Sequence, residues 1–196
     1  MTIEEIKKQT EPLGIQMQAI ELFAIAKNIH PPINILVFGL GNDSIFWYER
    51  NRGGRTVFFE DKKKWFDKIK AKHPFLEAYR INYDCKRKEW RNIVDKPELL
   101  MFEIPSAITD VKWDIIIVDG PAGNDDEAPG RMKSIYLAST LIKDGGDIFV
   151  HDAHREVEDA YCNKYLLNEN LISVVKGYST LRHYRIKTNC LIASTT

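Results

Sequence analysis

Two apolar runs in this sequence end abruptly in charge. WDIIIVDGPAGNDDEAPGRM passes from four consecutive apolar residues into Asp119, and IFVHDAHRE passes into His151 and Asp152. An imidazole titrates near neutrality and is suited to proton transfer. Two carboxylates with an imidazole also suit a divalent ion such as Mg, Mn or Co. Either device would activate a hydroxyl group, which is a poor nucleophile until a base takes its proton or a cation stabilises the alkoxide. The residues leave base and metal open. Arg131, after the Pro-Gly turn in EAPGR, and Arg155, just beyond HDAH, could each hold a carboxylate of a bound molecule bidentately.

A second constellation lies earlier, in NILVFGLGNDSIFW. Gly39-Leu40-Gly41 follows an apolar run and precedes a helical pattern. Glycine there permits a sharp turn and close approach of a ligand to the main chain. The N–H groups of the following helix are free, and Ser44 is placed to cap it. A dinucleotide fingerprint would have a third glycine where this chain has Ser44, which weakens a pyrophosphate reading. Glu60 closes the next apolar run, about twenty residues on, where an acid can accept hydrogen bonds from ribose hydroxyls. Asp84, in INYD, is a candidate to face an adenine. This pattern alone suits both S-adenosylmethionine (SAM) and NAD.

The elements that must carry these residues alternate. Strands are expected at Ile33–Phe38, Thr56–Phe59, Leu76–Ile81, Trp113–Val118 and Asp147–Val150, and a closing hairpin at Leu171–Lys176 and Leu181–Ile186. Helices are expected at about Ile15–Asn28, Ser44–Asn51, Lys63–Lys72, Met132–Ile142 and Arg155–Leu167. Thr2 and Glu5 fit a capping box for a further helix at the start. Apolar strands between amphipathic helices imply a mostly parallel sheet covered on both faces. Ligands of such sheets bind beyond the carboxyl ends of the strands, where Asp119, His151, Asp152 and the glycine turn all fall. The terminal hairpin favours an α/β, Rossmann-like class I methyltransferase sandwich over a dinucleotide fold, and with it SAM over NAD. Residues 1–32 read as a helical extension packed on the core, and 33–196 as the methyltransferase domain. Residues 84–105 are expected to hold one helix and a loop.

With 196 residues and 44% hydrophobic composition the chain is long enough for a sizeable core. Its 28 basic and 28 acidic residues cancel, so no broad electrostatic footprint for nucleic acid is visible. The runs KKK and KRKEWR read as solvated faces, with Trp90 a candidate for a sugar groove, and His154 and His183 read as surface or satisfied side chains. Cys85, Cys162 and Cys190 form no metal or disulfide pattern. No apolar signal core or membrane-length run occurs in the sequence given, so a cytoplasmic location is expected.

Taken together, VFGLGNDSIFW, NRGGRTVFFEDKKKW, WDIIIVDGPAGNDDEAPGRMKSIY and IFVHDAHREVEDAY resemble the plant polysaccharide-biosynthesis family that contains glucuronoxylan 4-O-methyltransferases and irregular-xylem proteins. The resemblance runs from about Ile33 to Ile186. It implies SAM-dependent methylation of a uronic-acid hydroxyl on an anionic sugar or polysaccharide. By motif, Gly39, Gly41, Ser44 and Glu60 would then bind SAM. Asp119 and the loop 128–131 would border the acceptor, and His151 and Asp152 would complete the site. The resemblance implies a membrane anchor and a cysteine-containing insert before the fourth strand in the plant enzymes, neither of which is expected within the sequence given. A small-molecule or protein acceptor, and an idle domain that binds SAM or a glycan, are the alternatives.

Overall fold

The computed structural model describes residues 1–187; Cys190 lies outside them. At the start of the chain the reciprocal cap forms as expected. Glu5 N–H donates to Thr2 Oγ1 (3.2 Å) and Thr2 N–H to Glu5 Oε2 (2.7 Å), and helix α1 spans Ile3–Thr10. Helix α2 spans Ala19–Ala26, shorter than expected, because the backbone is extended at Gln18 and residues 14–17 turn to line a cavity instead. Then follow β1 (Asn34–Phe38), α3 (Ser44–Arg50), β2 (Arg55–Glu60), α4 (Lys63–Lys72) and β3 (Glu77–Arg80). Three short helical pieces come next, α5 (Trp90–Ile93), α6 (Pro97–Leu100) and α7 (Ser106–Thr109); the first two fall within 84–105, where one helix and a loop are expected. Pro97 and Pro105 explain the fragmentation, since each is accepted only at a helix start.

The remaining elements are β4 (Trp113–Val118), α8 (Met132–Leu141), β5 (Ile142–Val150), α9 (Glu156–Tyr161), β6 (Leu171–Lys176) and β7 (Thr180–Arg185). Strand β5 starts five residues earlier than expected, through an irregular pairing of Ile142 with Trp113. Helix α9 stops short because residues 162–166 widen into a π turn that ends at Leu167, whose φ is +63°.

The seven strands form one sheet in the order β3-β2-β1-β4-β5-β7-β6. All pairings among β1–β5 are parallel, and β7 runs antiparallel to both β5 and β6. This is the class I methyltransferase sheet expected from the terminal hairpin. The two-residue period of the strands divides the core. Leu36, Phe38, Ile116, Val118, Ile148 and Val150 pack with α8 and α9 on one face. Ile35, Val37, Ile115, Ile117 and Phe149 pack on the other with Leu22 and Ile25 of α2, Phe46 and Trp47 of α3, and Ile6 of α1. Burying a side chain of this size contributes about 1.5–3 kcal/mol, so both helical layers are held firmly.

Register positions the site. Phe38 pairs with Phe59 and Val118, and Val118 pairs with Val150. The residues one step beyond that row are Gly39, Glu60, Asp119 and His151. Four residues distant in sequence are thereby delivered to one edge.

Candidate active site

A cavity of about 640 Å³ opens beyond this edge. Gly39, Leu40, Gly41, Asn42 and Asp43 form one wall with Glu60 and Asp61. Asp119 to Asn124, Arg131, His151, Asp152 and Arg155 form another, and residues 14–17 approach from the N-terminal segment. Of the residues singled out by sequence, Gly39, Gly41, Glu60, Asp119, Arg131, His151, Asp152 and Arg155 are brought together here.

The glycine turn is built as a cradle. Gly39 has φ +121°, a conformation open to glycine, and a side chain at Gly41 would place Cβ 2.6 Å from Asp43 Oδ1. Leu40 N–H and Lys62 N–H each donate to a different oxygen of Glu60, at 3.1 and 3.0 Å. These bonds leave each oxygen a lone pair for a ligand hydroxyl. Burial nevertheless raises the Glu60 pKa.

Two sequence assignments are corrected. Ser44 is inside α3 rather than its cap. Its hydroxyl accepts from Gly41 N–H (2.9 Å), so it braces the turn, and it is not among the cavity-lining residues. Asp84 lies away from this cavity, beside a separate pocket, and pairs with the buried Lys133 at 2.6 Å. The cation demands a carboxylate partner there because unpaired buried charge is costly.

Asp43 is a residue the sequence reading missed. Its Oδ2 accepts from the Trp47 indole (2.7 Å). Burial, and then repulsion from Asp119, push its pKa up to about 6. The signal was the acid directly before the helix, which was overshadowed by the more familiar cap residue beside it.

At the other wall, His151 Nδ1 lies 2.8 Å from Asp119 Oδ1 and 3.8 Å from Asp152 Oδ2. Its Nε2 lies 3.4 Å from Oε1 of Glu21, a second residue the sequence reading missed. Burial alone would lower the His151 pKa, but the contacts with Asp119 and Glu21 outweigh it and raise it to about 9. The two carboxylates therefore favour the imidazolium form of the ring. Glu21 is the lone charge in AIELFAIA, and that isolation was the available clue.

Arg131 is almost wholly buried, and both of its terminal nitrogens are engaged. Its guanidinium donates to the carbonyls of Asp119 (2.9 Å) and His151, to Asp119 Oδ1 (3.2 Å) and to Asp152 Oδ2 (2.9 Å). It clamps the ends of β4 and β5 together and is not free to hold an acceptor carboxylate. Arg155, more exposed, pairs with Asp152 Oδ2 at 2.9 Å and reaches the cavity. Asp152 adopts φ +60° and is tied through the Ser179 hydroxyl, which donates to its Oδ1 (2.7 Å). Burial would raise the Asp152 pKa, yet the Arg131 charge, Ser179, His151 and Arg155 hold it below the usual range.

This arrangement does not fit a metal ion on Asp119, His151 and Asp152. The position between the two carboxylates is taken by the Arg131 guanidinium, 3.2 Å from Asp119 Oδ1 and 2.9 Å from Asp152 Oδ2. Among the described residues no group of three or more His, Cys, Asp or Glu is set to hold a metal.

In the basic run 86–91 Lys86, Lys88, Glu89 and Arg91 are exposed, as read for a solvated face, but the run also carries ion pairs. Lys86 and Lys88 pair with Glu127, Arg87 pairs with Asp126, and Arg87 N–H donates to Ala128 O (2.7 Å). The run fastens the acidic loop that follows Asp119. Arg91 stacks on Trp90 and pairs with Glu156. His183 is buried against Phe149 and bonded to Asp147, which fits its reading as a satisfied side chain.

Comparisons with known proteins agree with this architecture. A TehB-like SAM-dependent methyltransferase from Corynebacterium glutamicum superposes with TM-score 0.58 at 13% identity, covering 94% of this chain and 98% of that one. An O-methyltransferase from Bacillus cereus in complex with SAH gives 0.53 at 15% identity, covering 94% and 90%. At such identities the likeness establishes the fold. In sequence the chain is 41% identical over 176 residues to glucuronoxylan 4-O-methyltransferase 1 of Arabidopsis thaliana, covering 79% of this chain and 61% of the relative. It is 35% identical to Protein IRX15-LIKE (82% and 57%) and 30% identical to arabinogalactan O-methyltransferase 2 (88% and 68%), both of the same plant. The chain spans about three fifths of the length of the glucuronoxylan 4-O-methyltransferases it matches. The IRX15/IRX15L/GXM family model matches residues 18–98 and 92–184, which takes in the glycine turn, the Asp119 loop and the His151 strand end; the chain belongs to that family.

Proposed function

We propose that this chain transfers a methyl group from SAM to a sugar hydroxyl on a polysaccharide, with a uronic acid of glucuronoxylan as the first acceptor to test. The observation that carries the reading is the meeting, in one cavity, of the glycine turn with Glu60 and of Asp119 with His151. The names of relatives support it, since they specify methylation of glucuronoxylan and of arabinogalactan. Arabinogalactan is accordingly the second acceptor.

The residues fit SAM. The cradle at Gly39–Gly41 admits a ligand close to the backbone, Glu60 retains acceptor capacity for ribose hydroxyls, and Asp43, Asp61 and Asp119 give the wall an acidic character suited to a cationic donor. When bound, SAM supplies an electrophilic methyl group whose bond to sulfur breaks as the bond to the acceptor oxygen forms. The acceptor hydroxyl must shed its proton. The Asp119 carboxylate, in the cavity and 2.8 Å from the His151 ring, is placed to receive it. The adjacent imidazolium and Arg131 offset the charge that develops as the oxygen approaches its anionic state. Arg155 is the cation placed to meet a uronic-acid carboxylate.

Calorimetry with SAM, S-adenosylhomocysteine and NAD tests the donor. Binding of the first two but not NAD is expected, and Gly41→Arg should abolish it without unfolding the chain. Unchanged affinity in that variant would remove the glycine turn from the site. Methyl transfer to glucuronoxylan and to arabinogalactan oligosaccharides, measured side by side, then decides the acceptor.

A further inference from the structure

Glu21 belongs to α2, outside the stretch of chain in which the sequence reading placed the site. It is 1% exposed. Its Oε2 accepts from Gln18 N–H (2.9 Å), which closes the helix start. A capping glutamate normally sits in solvent, and capping occupies one oxygen of this one. The other, Oε1, is buried without a hydrogen-bond partner and is 3.4 Å from His151 Nε2. Burying a carboxylate is costly unless a cation faces it, and His151 is the cation placed to do so. The imidazole thus sits between two carboxylates, Glu21 from α2 and Asp119 from the end of β4. The other charged groups around the ring are Asp152 beside it, Arg131 ahead of α8 and Asp43 ahead of α3.

We propose that Glu21 is a positioning residue, which fixes the His151 ring from the Nε2 side so that Nδ1 stays on Asp119. Rotating the ring about its Cβ–Cγ bond would break both contacts at once, so the two carboxylates define one orientation. Helix α2 is then part of the reaction apparatus as well as a cover for the sheet. The consequence for turnover rests on the methyl-transfer reading above; the contact itself does not.

Glu21→Gln separates the roles, because glutamine keeps the cap and removes the charge. SAM affinity and the acceptor KM should stay within about twofold, while kcat falls about tenfold to a hundredfold, as expected for a misplaced reacting group. The His151 ring N–H signals in the 15N spectrum should shift in the same variant. A wild-type kcat, or an unmoved ring signal, would overturn the proposal. A second measurement needs no variant. In the unmodified protein the ring N–H signals should exchange slowly with water at neutral pH, and fast exchange would overturn the proposal. If the unmodified protein binds SAM yet methylates neither polysaccharide while the ring signals behave as expected, the methyl-transfer reading fails and the positioning of the ring stands.

Discussion

The two ends of the sheet are built on opposite principles. At the amino ends, the buried side chain of Asn51 is matched. Asn51 donates to Ile33 O (2.8 Å) and Thr56 Oγ1 (3.0 Å) and accepts from Ile33 N–H (3.2 Å). Asp114 accepts from Asn34 N–H, and Arg55 pairs with Glu77 at 3.0 Å. At the carboxyl ends, Glu21 Oε1, Arg131 Nε and both ring nitrogens of His151 lack well-directed hydrogen bonds, Asp152 is left-handed, and two pKa values are pushed far from their usual range. One end closes the core. The other holds charge in unfavourable surroundings, as reactive sites do.

The sharpest break in that contrast would come from Asp119→Asn. It should cut kcat on the order of a thousandfold, within the range of a lost general base, with SAM still bound. Near-normal turnover would mean that the strained end does not deliver the base. Next in size is Arg131→Met. Removing one partner of a buried ionic cluster costs about 3–5 kcal/mol, so denaturant unfolding should show a loss of that order. A loss below about 1 kcal/mol would mean that Arg131 is not the clamp.

The imidazolium gives a pH signature. The folded pKa of His151, about 9, exceeds the ordinary 6.5. Its pairing therefore contributes stability in full below pH 6.5, and that contribution is lost as pH rises through 9. The loss should amount to about 2–4 kcal/mol and be absent from His151→Gln, as read from stability curves of the two proteins between pH 6 and 10. Identical curves would place the ring in a neutral state.

At the matched end the effects should be structural alone. Asn51→Ala should cost about 2 kcal/mol, the toll of unsatisfied buried groups, and leave kcat unaltered. A drop in kcat for the folded variant would show that the two ends are coupled. Smallest is Arg55→Met, at about 1 kcal/mol or less for a partly exposed pair, again judged by denaturant unfolding. A larger cost would assign that pair to the core.

What the sequence determined by itself is periodic and local. Apolar runs of about six residues set the strands, and their two-residue period set both core faces. The type of residue ending each run set what reaches the edge, so Gly39, Glu60, Asp119 and His151 were legible before any coordinates. The Thr2–Glu5 cap was legible for the same reason, because both partners lie within one helical turn. The tertiary structure decided which charge faces which. Glu21 meets His151, Arg131 is consumed as a clamp, Asp84 goes to Lys133, and the basic run 86–91 is spent on the loop 126–128. The partners in each of these pairs are distant in the chain. Their approach depends on sheet order, register and helix placement, and periodicity carries no information about which side chain a charge will find across a cavity. The protonation state of His151 follows from those encounters, so it too belongs to the fold and not to the local pattern.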